Sequence, residues 1–138
     1  WEPEETLTRN IIHRYQVRPD NPALLAGQLS GGNLQKLVVG RELHGRPDLI
    51  VAAYPTMGLD AGAAHDIYQA LFAKARDGAA VLWISEDLDE LYQLCHRMGA
   101  ICNGRLSPLA PASELSINQL GQWMAGNFKA EEFADAAA

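Results

Sequence analysis

Apolar residues in this chain fall into helix-period stretches interrupted by two short, nearly solid runs. In residues 3–16, Leu7, Ile11, Ile12 and Tyr15 share one side of a 3.6-residue repeat, with Pro3 early and Glu4 and Glu5 in the first turn; this predicts an amphipathic helix. Residues 17–28 carry two prolines, Asp20, Asn21 and Gly27, and predict a loop with one short turn at most. Leu29-Ser30-Gly31-Gly32 then opens a helix in which Leu34, Leu37 and Val38 form a narrow stripe, expected to be buried, ending near Leu43. Residues 49–53 are a continuous apolar run bounded by Pro55, rich in Ile and Val, and predict a buried parallel strand. Asp60 is placed to cap a helix running to about Asp77, with Ile67, Leu71 and Phe72 inward and Gly78 as its stop. A second buried strand is expected over residues 79–84. Asp87 and Glu90 fit a capping box for a helix with Leu88, Leu91 and Cys95 on its inner face. Asn103-Gly104, between residues 98–102 and 105–107, predicts a hairpin with a type I′ turn. Ser116 and Gln119 begin a short helix through Trp123 and Met124, stopped by Gly126. The alanine-rich, acidic stretch 127–138 is expected to be a disordered tail. Strand, helix, strand, helix, strand is an α/β pattern with a parallel sheet.

Composition narrows the class. With 48% hydrophobic and 20% charged residues, the 138-residue chain has the makings of a core, in one domain or a part of one. A formal net charge of −6, with no cluster of Lys or Arg, argues against nucleic acid as a partner. Cys95 and Cys102 make no disulfide framework and sit among apolar residues, which fits a reducing, cytoplasmic setting. No apolar run is long enough to cross a bilayer. Trp1 stands without an initiator Met, and the chain is expected to be a piece of a longer protein.

The candidate chemistry lies at the Gly-Gly turn. Backbone N–H groups at a helix start, reinforced by the positive end of the helix dipole, bind anions, and the Ser30 hydroxyl can donate to a phosphate oxygen. A Ser-Gly-Gly turn is more often a plain N-cap. His13, His44, His65 and His96 have no metal-ligand spacing, and Gln28 stands where a G-x-S-x-G elbow needs glycine. Cys95 and His96 are adjacent on a helix and point different ways, so they make no nucleophile–base pair.

The surrounding motifs sharpen this reading. The string LSGGNLQK at 29–36, followed by a helix, AAYPTMGLD at 52–60 and ISEDLDEL at 84–91, resembles the signature region of ABC-type ATPases. The resemblance covers about residues 1–126. It implies a partial P-loop NTPase (RecA-like) parallel sheet with part of the ABC helical subdomain. Residues 1–46 would be the end of that subdomain with the signature loop and helix, and 47–126 the C-terminal lobe of the ATPase core. In the family, the signature loop meets the γ-phosphate of ATP held, with Mg²⁺, by the opposite domain of a head-to-tail dimer. That role would fall here to Ser30, Gly31, Gly32 and Asn33. Asp60, besides its capping role, would contact the facing domain. Gln35 and Lys36 are expected to be surface residues of the signature helix.

No G-x-x-x-x-G-K-[ST] occurs: Gly27 and Gly32 come nearest, but Asn33 stands where lysine is needed. In the family that loop lies upstream of the signature, so its absence from this chain is expected and says nothing of the parent protein. Within the chain, three positions depart from the hydrolytic pattern. Where competent domains end the strand in Asp-Glu, this chain has Ala53 and Tyr54. A methyl holds no magnesium water, and an uncharged phenol is a poor base. Where they have Ser-His, this chain has Ser85-Glu86. A carboxylate about 4 Å from a phosphate oxygen would cost on the order of several kcal/mol at an intermediate dielectric.

Such lopsided loss is common in importers of simple sugars and nucleosides with two ATPase domains in one polypeptide. There the second domain reads LSGGN-x-QK, AA-x-PT-x-GLD and SEDLDE. Tyr54 and Met57 depart from the glutamine and arginine usual at those places. The resemblance therefore implies the C-terminal part of such a degenerate second domain, inactive alone and peripheral on the cytoplasmic face of the membrane. Its partners would be a second ATPase domain and transmembrane permease subunits, while a strand edge left open could pair with another copy. An alternative is an ABC-like pseudo-ATPase serving as a protein-interaction or regulatory module. A soluble ABC ATPase of translation or DNA repair fits the acidic charge less well.

Overall fold

The computed structural model describes residues 4–129, and these divide into two compact units, one ending at Ile84 and one beginning at Ser85. Pro3 and residues 130–138, to which parts of the first-helix and tail expectations refer, lie outside the described residues.

The first unit contains α1 (Glu4–Arg14), a 3₁₀ turn (Ala26–Gln28), α2 (Gly31–Glu42), β1 (Leu49–Ala53), α3 (Ala61–Arg76) and β2 (Ala80–Ile84). β1 and β2 pair in parallel, from Leu49 opposite Ala80 to Ala53 opposite Ile84, with α3 as the crossover between them. This is the expected α/β arrangement. Asp60 caps α3 by accepting from the Ala63 N–H at 2.9 Å, and Gly78, at φ 104°, takes the left-handed conformation that ends it. Ile67 and Leu71 are buried beside Leu43, and Ile50, Ala52 and Trp83 pack against them from the sheet.

Two expectations about burial fail, for physical reasons. The strands are half-buried, and on one face only. Ile50, Ala52 and Trp83 pack against the α3 cluster, whereas Leu49, Val51, Leu82 and Ile84 remain 60, 58, 52 and 40% exposed. The stripe on α2 also differs, since Leu34 and Val38 are 38 and 37% exposed and only Leu37 packs inward. The buried position of α2 is Gly40, where a Cβ would lie 2.4 Å from Ile11 Cγ2 and 2.8 Å from Tyr15 Cδ2. The missing side chain lets α1 come down on α2 at that point, and Val39 reaches both core clusters of the unit.

The second unit contains α4 (Leu88–Leu94), β3 (Arg97–Met98), β4 (Ile101–Cys102), β5 (Arg105–Leu106), β6 (Ala110–Pro111) and α5 (Ile117–Met124) around Met98, Leu115, Leu120 and Trp123. Asn103 and Gly104 have φ of 50° and 73°, as a type I′ turn demands. The hairpin is shorter than expected. Ala100 and Ser107 still exchange bonds, but Pro108 has no N–H to offer opposite Gly99. Pairing resumes one residue out of register, Met98 opposite Ala110.

Candidate functional site

The head of α2 is held by its neighbours and open to solvent. Leu29 packs into the cluster of Ile11, Ile12, Tyr15 and Val17, which fixes the chain just before the turn. Ser30 is the N-cap, extended at φ −64° and ψ 156°, and its carbonyl accepts from the Leu34 N–H at 2.9 Å. Its hydroxyl makes no cap bond to the helix. Instead, Ser30 Oγ accepts from Asn33 Nδ2 at 2.9 Å, and Asn33 Oδ1 accepts from the Arg18 N–H at 2.6 Å. Ser30 and Gly31 are exposed, and Gly32 and Asn33 half-buried. A Cβ on Gly31 would meet nothing within 4 Å. The amides of the first helical turn have no intrahelical acceptor, so these N–H groups and the Ser30 hydroxyl are available to an anion approaching from outside. The residues present fit a phosphate group.

The loop between β1 and α3 lies against this turn. Gln35 Nε2 donates to the Pro55 carbonyl at 2.9 Å, and a Cβ on Gly32 would stand 3.3 Å from Leu59 Cδ2. Gln35 is thus a tie between α2 and the loop, not the free surface residue expected. Asp60 is exposed. Its bond from the Ala63 N–H, helped by the Gly62 N–H and the nearby Lys36 charge, holds its carboxyl below the usual carboxylate range. Ser30, Gly31, Gly32, Asn33 and Asp60 therefore belong to one surface region, joined through Gln35 and Leu59.

Ala53 and Tyr54 end β1. Tyr54, at φ 50°, donates its N–H to the Ile84 carbonyl at 2.8 Å and accepts from the Met57 N–H at 3.2 Å, leaving its side chain exposed. A left-handed tyrosine is costly backbone, sustained by those two bonds. Glu86 stands exposed in the bend before α4, at the start of the second unit. The turn around it is built by Ser85 Oγ, which accepts from the Asp87 N–H, and by Asp87, which caps α4 at Glu90. Cys95 packs against the second core while His96 is exposed, and burial, with the Glu90 charge, pushes the Cys95 thiol up. Among the described residues no group of three His, Cys, Asp or Glu is placed to hold a metal ion. Among the described residues, no helix is long and apolar enough to cross a membrane.

No protein-family model matches the chain. Individual proteins do. It is 39% identical over 123 residues to the guanosine import ATP-binding protein NupO of Bacillus subtilis, covering 89% of this chain and 24% of NupO. It is 33% identical over 113 residues to the galactose/methyl galactoside import ATP-binding protein MglA of Clostridium perfringens, covering 82% of this chain and 22% of MglA. This chain belongs to the ABC-transporter ATP-binding family. A solved ATP-binding subunit of an ABC transporter superposes with a TM-score of 0.72 at 18% identity, over 89% of this chain and 52% of that one, which supports the same fold. This ABC-family chain spans about a quarter of the length of the curated relatives it matches.

For an ABC-family chain, two features of the site were missed from the sequence. Arg18 enters through its backbone N–H, which carries no residue-type signal. Leu59 does carry one, an apolar side chain between Gly58 and the capping Asp60, placed where a Cβ on Gly32 would meet it.

Proposed function

We propose that this chain is the C-terminal part of the second, degenerate ATPase domain of an ABC importer for a simple sugar or nucleoside. Ser30, Gly31, Gly32 and Asn33 face the γ-phosphate of ATP that a second ATPase domain holds with its Mg²⁺, while Ala53, Tyr54 and Glu86 leave this domain's own hydrolytic positions inert. The observation that carries the reading is the turn at the head of α2: Ser30 and Gly31 are exposed, and the amides of its first turn have no intrahelical acceptor. The relatives that import guanosine and galactose support the solute class. Residues 1–46 supply the signature element and 47–126 the second lobe of the core, with Asp60 contacting the facing domain. The exposed apolar face of Leu49, Val51, Leu82 and Ile84 is a surface that the rest of an ATPase core would cover. Transmembrane permease subunits complete the assembly and hold it at the cytoplasmic face of the membrane.

ATP-binding and turnover assays on the 138-residue chain test the division of labour. The chain is expected to bind MgATP no tighter than about 1 mM, because it lacks a phosphate-cradling loop, and to show background hydrolysis only. Turnover that disappears with Tyr54→Phe or Glu86→Ala would overturn the proposal.

A further inference from the structure

We infer that Asn33 is a positioning residue that turns the Ser30 hydroxyl proton outward, toward the phosphate; this rests on the reading of the turn given above. The deduction begins at Arg18. Its backbone N–H can only donate, so the Asn33 atom 2.6 Å away is the carbonyl oxygen Oδ1. The other arm of the amide is then the NH₂ group, and it faces Ser30 Oγ at 2.9 Å. An NH₂ can only donate, so Ser30 is the acceptor in that bond and its own proton must point elsewhere. The helix start does not take that proton either, since the groups it presents there are N–H donors. What remains for the proton is the open side of the turn, where Ser30 and Gly31 are exposed.

The anchor of this relay is the core. Val17, 1% exposed among Ile11, Ile12 and Tyr15, donates its backbone N–H to the Ile12 carbonyl at 2.9 Å, and so fixes the Arg18 N–H that follows. Direction passes from a buried backbone through one amide to one hydroxyl. A carboxylate at position 33 would reverse it. Asp accepts from both neighbours, so it would draw the Ser30 proton inward and set a negative charge beside the phosphate. An alanine would leave the hydroxyl an unbiased rotor.

The test is a double-mutant cycle in the full-length subunit assembled with its permease, reading equilibrium affinity for the non-hydrolysable analogue AMP-PNP with Mg²⁺. Ser30→Ala is expected to weaken binding roughly ten-fold, the loss of one hydrogen bond to a charged group. Asn33→Ala is expected to weaken it about three-fold, and Asn33→Asp at least about ten-fold more than Asn33→Ala. In the Ser30→Ala background, Asn33→Ala is expected to cost nothing further, and the gap between Asn33→Asp and Asn33→Ala should shrink. A penalty from Asn33→Ala that is undiminished without the Ser30 hydroxyl, or no penalty while Ser30→Ala weakens binding, overturns this inference and leaves the signature-loop reading standing. If Ser30→Ala itself changes nothing, the signature-loop reading fails and takes this inference with it.

Discussion

Ser30→Arg is expected to abolish ATP turnover by the proposed full transporter, and Glu86→Ala to change it by less than about two-fold. On the proposed reading the turn lets backbone amides and a small hydroxyl come within hydrogen-bond distance of a phosphate, and a guanidinium on its flexible stem would fill that space. Loss of several charge-assisted bonds, each worth about 1.5–3 kcal/mol, predicts a fall of at least roughly a hundred-fold. The substitution spares the fold because Ser30 is exposed, in extended backbone, and its side chain caps nothing. Glu86 sits in an exposed bend whose hydrogen bonds come from Ser85 and Asp87, so its carboxylate has no structural duty there. Steady-state ATPase assays on purified transporter in lipid decide the matter. Wild-type turnover in Ser30→Arg would mean that the loop never meets nucleotide.

Gly40→Val separates α1 from α2. The first side-chain carbon alone would sit 2.4 Å from Ile11 and 2.8 Å from the Tyr15 ring, closer than packed carbons tolerate, and a β-branched side chain cannot turn away. Overpacking of this kind costs about 2 kcal/mol, or roughly a thirty-fold loss of protection against hydrogen exchange in the α1 segment. Gly40→Ala should show a smaller effect of the same sign. Because Val17 and Leu29 belong to the cluster that α1 completes, the disturbance should spread to Arg18 and to the turn at Ser30. Exchange measured by mass spectrometry on the full-length subunit checks it; unchanged protection over Ile11–Val17 would refute the packing described for Gly40.

The Gly40 case shows what the sequence could and could not carry. Features with a residue-specific backbone requirement were legible. The strand limits Leu49–Ala53, the caps at Asp60 and Ser116 and the turn at Asn103-Gly104 were all expected where they occur. The side of α2 that is buried was not legible, because its deepest residue is a glycine, which contributes nothing to an apolar pattern. Leu34 and Val38 looked like the inner stripe and are exposed. A solid apolar run likewise says that a strand can be covered on both faces, not that both are covered among these residues. At the candidate site, the motif singles out Ser30, Gly31, Gly32 and Asn33, and the departures at Ala53, Tyr54 and Glu86, as expectations. The bonds that hold Asn33 and Gln35 are not in the motif, since the Arg18 N–H and the Pro55 carbonyl are backbone groups brought in from 15 and 20 residues away.

Photolabelling tests the central claim most directly. The full-length transporter is incubated with Mg²⁺ and an ATP analogue bearing an azidoanilide on its γ-phosphate, irradiated and mapped by peptide mass spectrometry. Crosslinks within residues 29–36 that fade as unlabelled ATP is added are the predicted result. Labelling confined to other segments, with 29–36 untouched at saturating analogue, would contradict the account.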